Sequence, residues 1–195
     1  MIAIVDLGIG NLANVRKALD GVITSDPHEI EKAEKIVLPG VGNFGAVMEK
    51  LEPLRGAILD AINDGKPFLG ICLGLQLLFE WSEESEGKGL GVFKGNVVRF
   101  RGVRTPHIGW NQVWRKKDCP LFEGIRDGAY FYFVHSYYVN PADESIIAGV
   151  TDYQSKGNEV IFTSAVCKDN IFGVQFHPEK SGKAGLRLLA NFGRL

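Results

Sequence analysis

Short apolar runs alternate with amphipathic stretches over the first half of the chain. Ile2 to Leu7 is an apolar run of the length of a buried strand. Gly8-Ile9-Gly10 reads as a turn, and Asn11 as the cap of a helix reaching about Leu19. Val22 to Thr24 predicts a second short strand, and a polar, Glu-rich segment follows Pro27. Ile36-Val37-Leu38 predicts another buried strand, broken by Pro39-Gly40-Val41-Gly42. Helical spacing runs from Phe44 to about Asn63, with an interruption expected near Pro53, and Gly65-Lys66 ends it. Phe68 to Cys72 predicts a strand, and Leu73 to about Ser85 an apolar helix. Apolar strands alternating with helices imply a parallel sheet covered on both faces.

The second half has a different pattern. Val97 to Arg101, Gly109 to Arg115, Ala129 to Val139, Ile146 to Tyr153, Val160 to Lys168 and Ile171 to Phe176 are all strand-like, separated by turns such as Lys168-Asp169-Asn170. They predict antiparallel strands attached to the parallel sheet. A last helix is expected from about Lys183 to Phe192. No repeat, low-complexity tract or linker divides the chain. One mixed α/β domain over residues 1–195 is the economical expectation.

Composition narrows the class of partner. Lys and Arg number 22 against 23 Asp and Glu, so bulk attraction to nucleic acid or to an anionic membrane is not expected. No apolar run approaches the ~20 residues that cross a bilayer, and no signal peptide is read at the N-terminus. The three cysteines, Cys72, Cys119 and Cys167, form no C-x-x-C. Neither a disulfide framework nor a metal site is expected, and reduced thiols suit the cytoplasm. Cys119 and Cys167 are assigned to packing.

Three segments carry chemistry. Gly70-Ile71-Cys72-Leu73-Gly74 lies where a strand is expected to give way to a helix. Glycines two before and two after a nucleophile permit the tight turn that pushes its side chain above a sheet edge. The helix N-terminus beyond it favours a thiolate. Taken alone, Cys72 fits a buried structural cysteine about as well. In Gln175-Phe176-His177-Pro178-Glu179, Pro178 drives His177 into extended backbone. Residues two apart then share a face, so Glu179 can hold one imidazole nitrogen while the other meets a thiol. Alone, this segment also fits a surface turn. Pro39-Gly40-Val41-Gly42 supplies small residues whose N–H groups, with that of Leu73, can face an oxyanion. A simple turn before a helix is the other reading.

In this order the three segments resemble the class I, triad-type glutamine amidotransferases, and the resemblance covers nearly the whole chain. It implies a flavodoxin-like α/β fold, with a mixed, mainly parallel central sheet, helices on both faces and antiparallel strands in the C-terminal half. It implies Cys72 as nucleophile, His177 as base and Glu179 as orienting acid. Gln76 matches a position that holds the substrate L-glutamine, and Ser136 and Tyr137 match positions that contact it. Asp6-x-Gly8-x-Gly10-Asn11, Pro106-His107-Ile108-Gly109-Trp110-Asn111, Tyr132-Phe133-Val134-His135-Ser136-Tyr137 and His177-Pro178-Glu179-Lys180-Ser181 resemble the glutaminase subunits of imidazole glycerol phosphate synthases.

That narrower resemblance implies a cyclase subunit, a (β/α)8-barrel, as partner. Ammonia would pass to it for conversion of a phosphoribosyl-linked imidazole precursor (PRFAR) to imidazole glycerol phosphate and AICAR in histidine biosynthesis. Glutaminase activity would be weak until the cyclase and its ligand bind. Asn11, Asn14, Trp110, Tyr132 and Lys180 would lie at the interface, and no cofactor is required. Trp110 and Tyr132 also fit core aromatics, Asn11 a plain helix cap and Lys180 a solvated charge. His135 reads as hydrogen-bonded structure. The rival readings are a glutaminase of another pathway, a cysteine peptidase or γ-glutamyl hydrolase, and a non-enzymatic glutamine-binding subunit.

Overall fold

The computed structural model describes residues 1–10 and 12–195; the cap and interface roles expected of Asn11 lie outside them. The strands among the described residues are β1 (Ile2–Val5), β2 (Val22–Thr24), β3 (Lys35–Gly40), β4 (Phe68–Cys72), β5 (Trp81–Ser82), β6 (Ser85–Lys88), β7 (Gly95–Arg99), β8 (His107–Arg115), β9 (Ala129–His135), β10 (Tyr137–Pro141), β11 (Ile147–Ser155), β12 (Asn158–Lys168) and β13 (Ile171–Val174). The α-helices are α1 (Leu12–Leu19), α2 (Pro27–Lys32), α3 (Phe44–Leu51), α4 (Arg55–Asn63), α5 (Leu73–Gln76) and α6 (Gly182–Arg194).

Five strands run parallel in the order β2-β1-β3-β4-β13. This is the doubly wound order in which ligands sit beyond the carboxyl ends of the strands. Side-chain alternation divides the core. On β3, Ile36 and Leu38 face one way, with Phe44, Val47 and Leu51 of α3 and Ile58 and Ile62 of α4. Val37 faces the other way, with Val15 and Leu19 of α1 and Leu188, Leu189 and Phe192 of α6. Each such fully buried aliphatic or aromatic side chain contributes about 1.5–3 kcal/mol relative to exposure. Beyond β13 the sheet turns antiparallel through β12 and β10 to β7, and β11 links β12 to the β8–β9 hairpin. The fold class expected from the sequence is observed.

Several boundaries differ from expectation, each for a physical reason. The segment after Pro27 is the short helix α2, with Pro27 in its first turn and Asp26 accepting from the His28 N–H. β3 does not break at Pro39. Its register with β1 ends at Ile4↔Val37, so Pro39 lies past that neighbour and its missing N–H leaves no ladder bond unmade on that side. The helical stretch from Phe44 is interrupted at Glu52–Leu54 by a 3-10 turn carrying Pro53. The strand expected over Ala129 to Val139 is two strands, β9 and β10, parted at Ser136.

The largest departure is the helix expected to Ser85, which stops after one turn at Gln76. Beyond it the carbonyls of Leu77, Leu78, Phe79 and Glu80 accept from the N–H groups of Leu90, Phe93, Gly91 and Gly89 instead of continuing the i→i−4 ladder. A Cβ at Gly89 would stand 2.0 Å from the Phe79 carbonyl oxygen, so only glycine lets the returning chain close on this segment. The apolar run is buried by tertiary packing, and periodicity alone does not separate that from a helix.

Candidate active site

The β4–α5 junction forces Cys72 outward. Its φ of 55° and ψ of −109° lie in a region that L-residues seldom adopt. Such strain persists only where its surroundings over-determine it. Here they do. A Cβ at Gly74 would sit 1.8 Å from the Leu38 carbonyl oxygen, and one at Gly70 would sit 2.6 Å from the Gly74 carbonyl oxygen. The turn therefore packs against β3 more closely than any side chain allows. Because α5 is a single turn, the electrostatic contribution comes from its free N–H groups rather than from a long helix dipole.

His177 leaves β13 in extended conformation (φ −98°, ψ 95°) and its N–H donates to the Tyr132 carbonyl of β9 at 2.9 Å. Glu179 reaches it by a route other than strand alternation. Pro178–Lys180 forms a 3-10 turn that brings Glu179 Oε1 within 2.9 Å of His177 Nδ1. Both side chains are almost fully buried. His177 Nε2 and Glu179 Oε2 have no hydrogen-bond partner. Burial on its own disfavours the imidazolium, but the Cys72 sulfur and the Glu179 carboxylate beside the ring outweigh it and lift the His177 pKa to about 10. A buried thiol beside a buried, carboxylate-oriented imidazole is the arrangement of an activated nucleophile.

A cavity of about 350 Å³ opens at Cys72 and is lined by Val41, Gly42, Leu73, Gln76, Glu84, Pro106, Val134, His135, Ser136 and Tyr137. Val41, Gly42, Leu73, Gln76, Ser136 and Tyr137 were all expected at the site. Gly40 stands behind the lining, paired with Cys72 across β3 and β4 and packed under Leu73. Gln76 Nε2 donates at 3.0 Å both to the Tyr137 carbonyl and to Gln175 Oε1. Both amide protons are therefore engaged, and Gln76 offers a ligand only its carbonyl oxygen. Gln175 Nε2 donates to Cys72 Sγ at 3.6 Å.

Glu84 and Gln175 escape sequence reasoning as site residues. Glu84 lies where a helix was expected, and its Oε2 accepts from the Phe44 N–H at 2.7 Å. It is the one carboxylate on the described cavity wall. Gln175 is two positions before His177, a spacing that places both toward the same side and is its only sequence signal.

Three of the residues expected at an interface, Trp110, Tyr132 and Lys180, lie together. Trp110 on β8 is 54% exposed and stacks edge-on against its cross-strand neighbour Tyr132, with ring centroids 6.2 Å apart. Lys180 Nζ lies 5.9 Å from the centre of the Tyr132 ring. Trp110 is therefore not a core aromatic, while Tyr132 is half-buried and Asn14 and Lys180 are exposed. No α-helix among the described residues is long and apolar enough to cross a membrane.

Residues 11–194 match the family model of the class-I glutamine amidotransferases. The chain is 81% identical to the imidazole glycerol phosphate synthase subunit HisH of Thermococcus kodakarensis, with all of both chains covered. It is 70% identical to the HisH subunit of Pyrococcus furiosus, covering all of this chain and 98% of that one. Among solved structures, a glutamine amidotransferase superposes with a TM-score of 0.75 at 16% identity, over 100% of this chain and 99% of the other. PurLQS from Thermotoga maritima superposes at 0.72 and 19%, covering 98% and 96%. These two likenesses bear on the fold alone. Family model and relatives agree with the elbow and its buried imidazole: the chain belongs to the class-I glutamine amidotransferases, in the branch of the HisH subunits of imidazole glycerol phosphate synthase.

Proposed function

We propose that the chain hydrolyses L-glutamine to glutamate and ammonia through Cys72, His177 and Glu179, and passes the ammonia to the cyclase subunit of imidazole glycerol phosphate synthase. The observation that carries this reading is the buried His177–Glu179 pair beside the strained Cys72, which lines a cavity of about 350 Å³. The thiolate attacks the glutamine Cδ. The oxyanion is held by the Leu73 N–H and one from the Val41–Gly42 segment, a donor worth about 3–4 kcal/mol of barrier. His177 gives a proton to the departing ammonia. It then takes one from the water that cleaves the γ-glutamyl thioester, which restores the thiolate and releases glutamate. Glu84 suits the substrate α-ammonium, and Ser136 and Tyr137 close the opposite wall. The reaction requires no cofactor.

The cyclase, a (β/α)8-barrel, converts PRFAR to imidazole glycerol phosphate and AICAR in the cytoplasm. It docks against Trp110, Tyr132, Lys180 and Asn14. Hydrolysis stays weak until the cyclase and its ligand are bound. Val41, between two glycines and on the cavity wall, is the segment whose peptide turns on docking. The test of the nucleophile is Cys72→Ala: glutamate release should vanish in a preparation of unchanged fold. Retention of full hydrolysis would overturn the assignment.

A further inference from the structure

Two buried histidines, His135 on the cavity wall and His107 beside it, are not used by the proposed chemistry. His107 on β8 and His135 on β9 are cross-strand neighbours, with Nδ1 of His107 3.0 Å from Nε2 of His135. Nδ1 of His135 lies 2.8 Å from the Tyr137 carbonyl oxygen. That oxygen only accepts, so His135 Nδ1 carries a proton and, in the neutral ring, Nε2 is a bare acceptor. His107 Nδ1 must then be the donor, which leaves its Nε2 bare in turn. Asn111 Nδ2 faces that nitrogen at 3.4 Å while donating to the Asp152 carbonyl at 2.8 Å. Every proton between these groups is thereby fixed, and all donate in one direction.

The ring environments reinforce the assignment. His107 is stacked between Tyr153, 4.1 Å away, and Phe133, 5.0 Å away. His135 sits among Phe100, Phe133 and Phe162 at 5.1–5.6 Å. Burial holds both pKa values far below the usual histidine range, at about 4 for His107 and about 3 for His135. Protonating either ring would set two N–H groups against each other somewhere along the chain. The nearby His177 charge opposes it further at His135.

A second chain of donors meets the first at the Tyr137 carbonyl and leads from there to the nucleophile. The Tyr137 carbonyl accepts from His135 and from Gln76, Gln76 donates to Gln175, and Gln175 donates to Cys72 Sγ. We propose that His107 and His135 are positioning residues for this active site: they fix the Tyr137 carbonyl, and with it the Gln76–Gln175 amide pair, so that an N–H of Gln175 faces the sulfur of Cys72. The inference rests on the glutaminase reading for its consequence, but the geometry it describes does not depend on glutamine. Gln175 touches the reacting atom and stabilises the thiolate, while the two histidines act through it. An amide can present either its oxygen or its NH2 at a given place; because the Tyr137 carbonyl only accepts, Gln76 turns its NH2 to it and to Gln175 Oε1, which leaves the Gln175 NH2 facing sulfur.

The experiment uses the full chain and two readouts that need no glutamine. Nitrogen NMR of the imidazoles at pH 7.5 should show both rings neutral with the proton on Nδ1. An imidazolium, or an Nε2–H tautomer at either ring, would overturn the proposal whatever the variants do. Second, alkylation of Cys72 by iodoacetamide at pH 7 is followed on its own peptide. Gln175→Leu should slow it about tenfold, the effect of one hydrogen bond to a charged group. His135→Phe, which keeps the aromatic packing, should slow it at least about threefold, and the double variant no more than Gln175→Leu alone, as for residues in one network. Unchanged alkylation in His135→Phe, or additive losses, would refute the relay. If His135→Phe fails to fold, the tautomers and Gln175→Leu decide the matter. A normal relay in a chain that never hydrolyses glutamine would instead count against the proposed function.

Discussion

Replacing Gly74 by alanine tests the elbow with the smallest change the genetic code allows. The added Cβ would lie 1.8 Å from the Leu38 carbonyl oxygen, whereas such carbons do not approach closer than about 3.0 Å. The turn and β3 would have to part by about 1.2 Å. Both are backbone in the core, with no flexible side chain to give way, so the cost exceeds the usual ~1–3 kcal/mol of overpacking. The displacement also falls between Cys72 and the backbone proposed to hold the oxyanion, where a ~1 Å error costs on the order of a hundredfold in rate. Gly56→Ala is the control. Gly56 is in α4, with ordinary helical φ and open space where a Cβ would go. It should be neutral or stabilise by about 0.5–1 kcal/mol. The assay is thermal unfolding of both variants beside alkylation of Cys72. A Gly74→Ala chain with unchanged melting temperature and unchanged Cys72 reactivity would refute the close-packed elbow.

Two further outcomes follow from the site. His177 has a folded pKa of about 10, above the ordinary value of about 6.5. Its protonation therefore contributes stability that is complete below pH ~6.5 and is lost as pH rises toward ~10. Between those limits the wild type should lose more melting temperature than His177→Gln, and equal losses would contradict the pairing. Trp110→Ala should weaken cyclase binding about tenfold or more, as loss of an interfacial aromatic anchor does. It should leave the stability of the isolated chain within ~0.5 kcal/mol, because the ring is exposed. Undiminished binding in a titration would remove Trp110 from the interface.

How much of this was legible in the sequence depended on how local each cause is. The elbow was readable because Gly70, Cys72 and Gly74 mark the turn within five positions, although the Leu38 carbonyl that requires Gly74 lies on β3. The parallel strands were readable because β1, β3 and β4 are apolar on both faces. His177 and Glu179 were paired correctly but by a different mechanism: Pro178 starts a 3-10 turn, so contact comes from the turn and not from strand alternation. Leu77, Leu78 and Phe79 misled because burial under the 89–93 return produces the same apolar run as a helix. Glu84, Gln175 and the His107–His135 pair were not legible as a site. Each gains its role from partners 28 to 103 positions away, or from a cavity built by several strands.

The central claim is tested most directly by glutamate release from L-glutamine under three conditions: the chain alone, with a cyclase subunit, and with the cyclase and PRFAR or a stable analogue. The account predicts weak release in the first two and a large rise only in the third, abolished by Cys72→Ala. Equal turnover in all three, or no rise despite complex formation and a reactive Cys72, would contradict it.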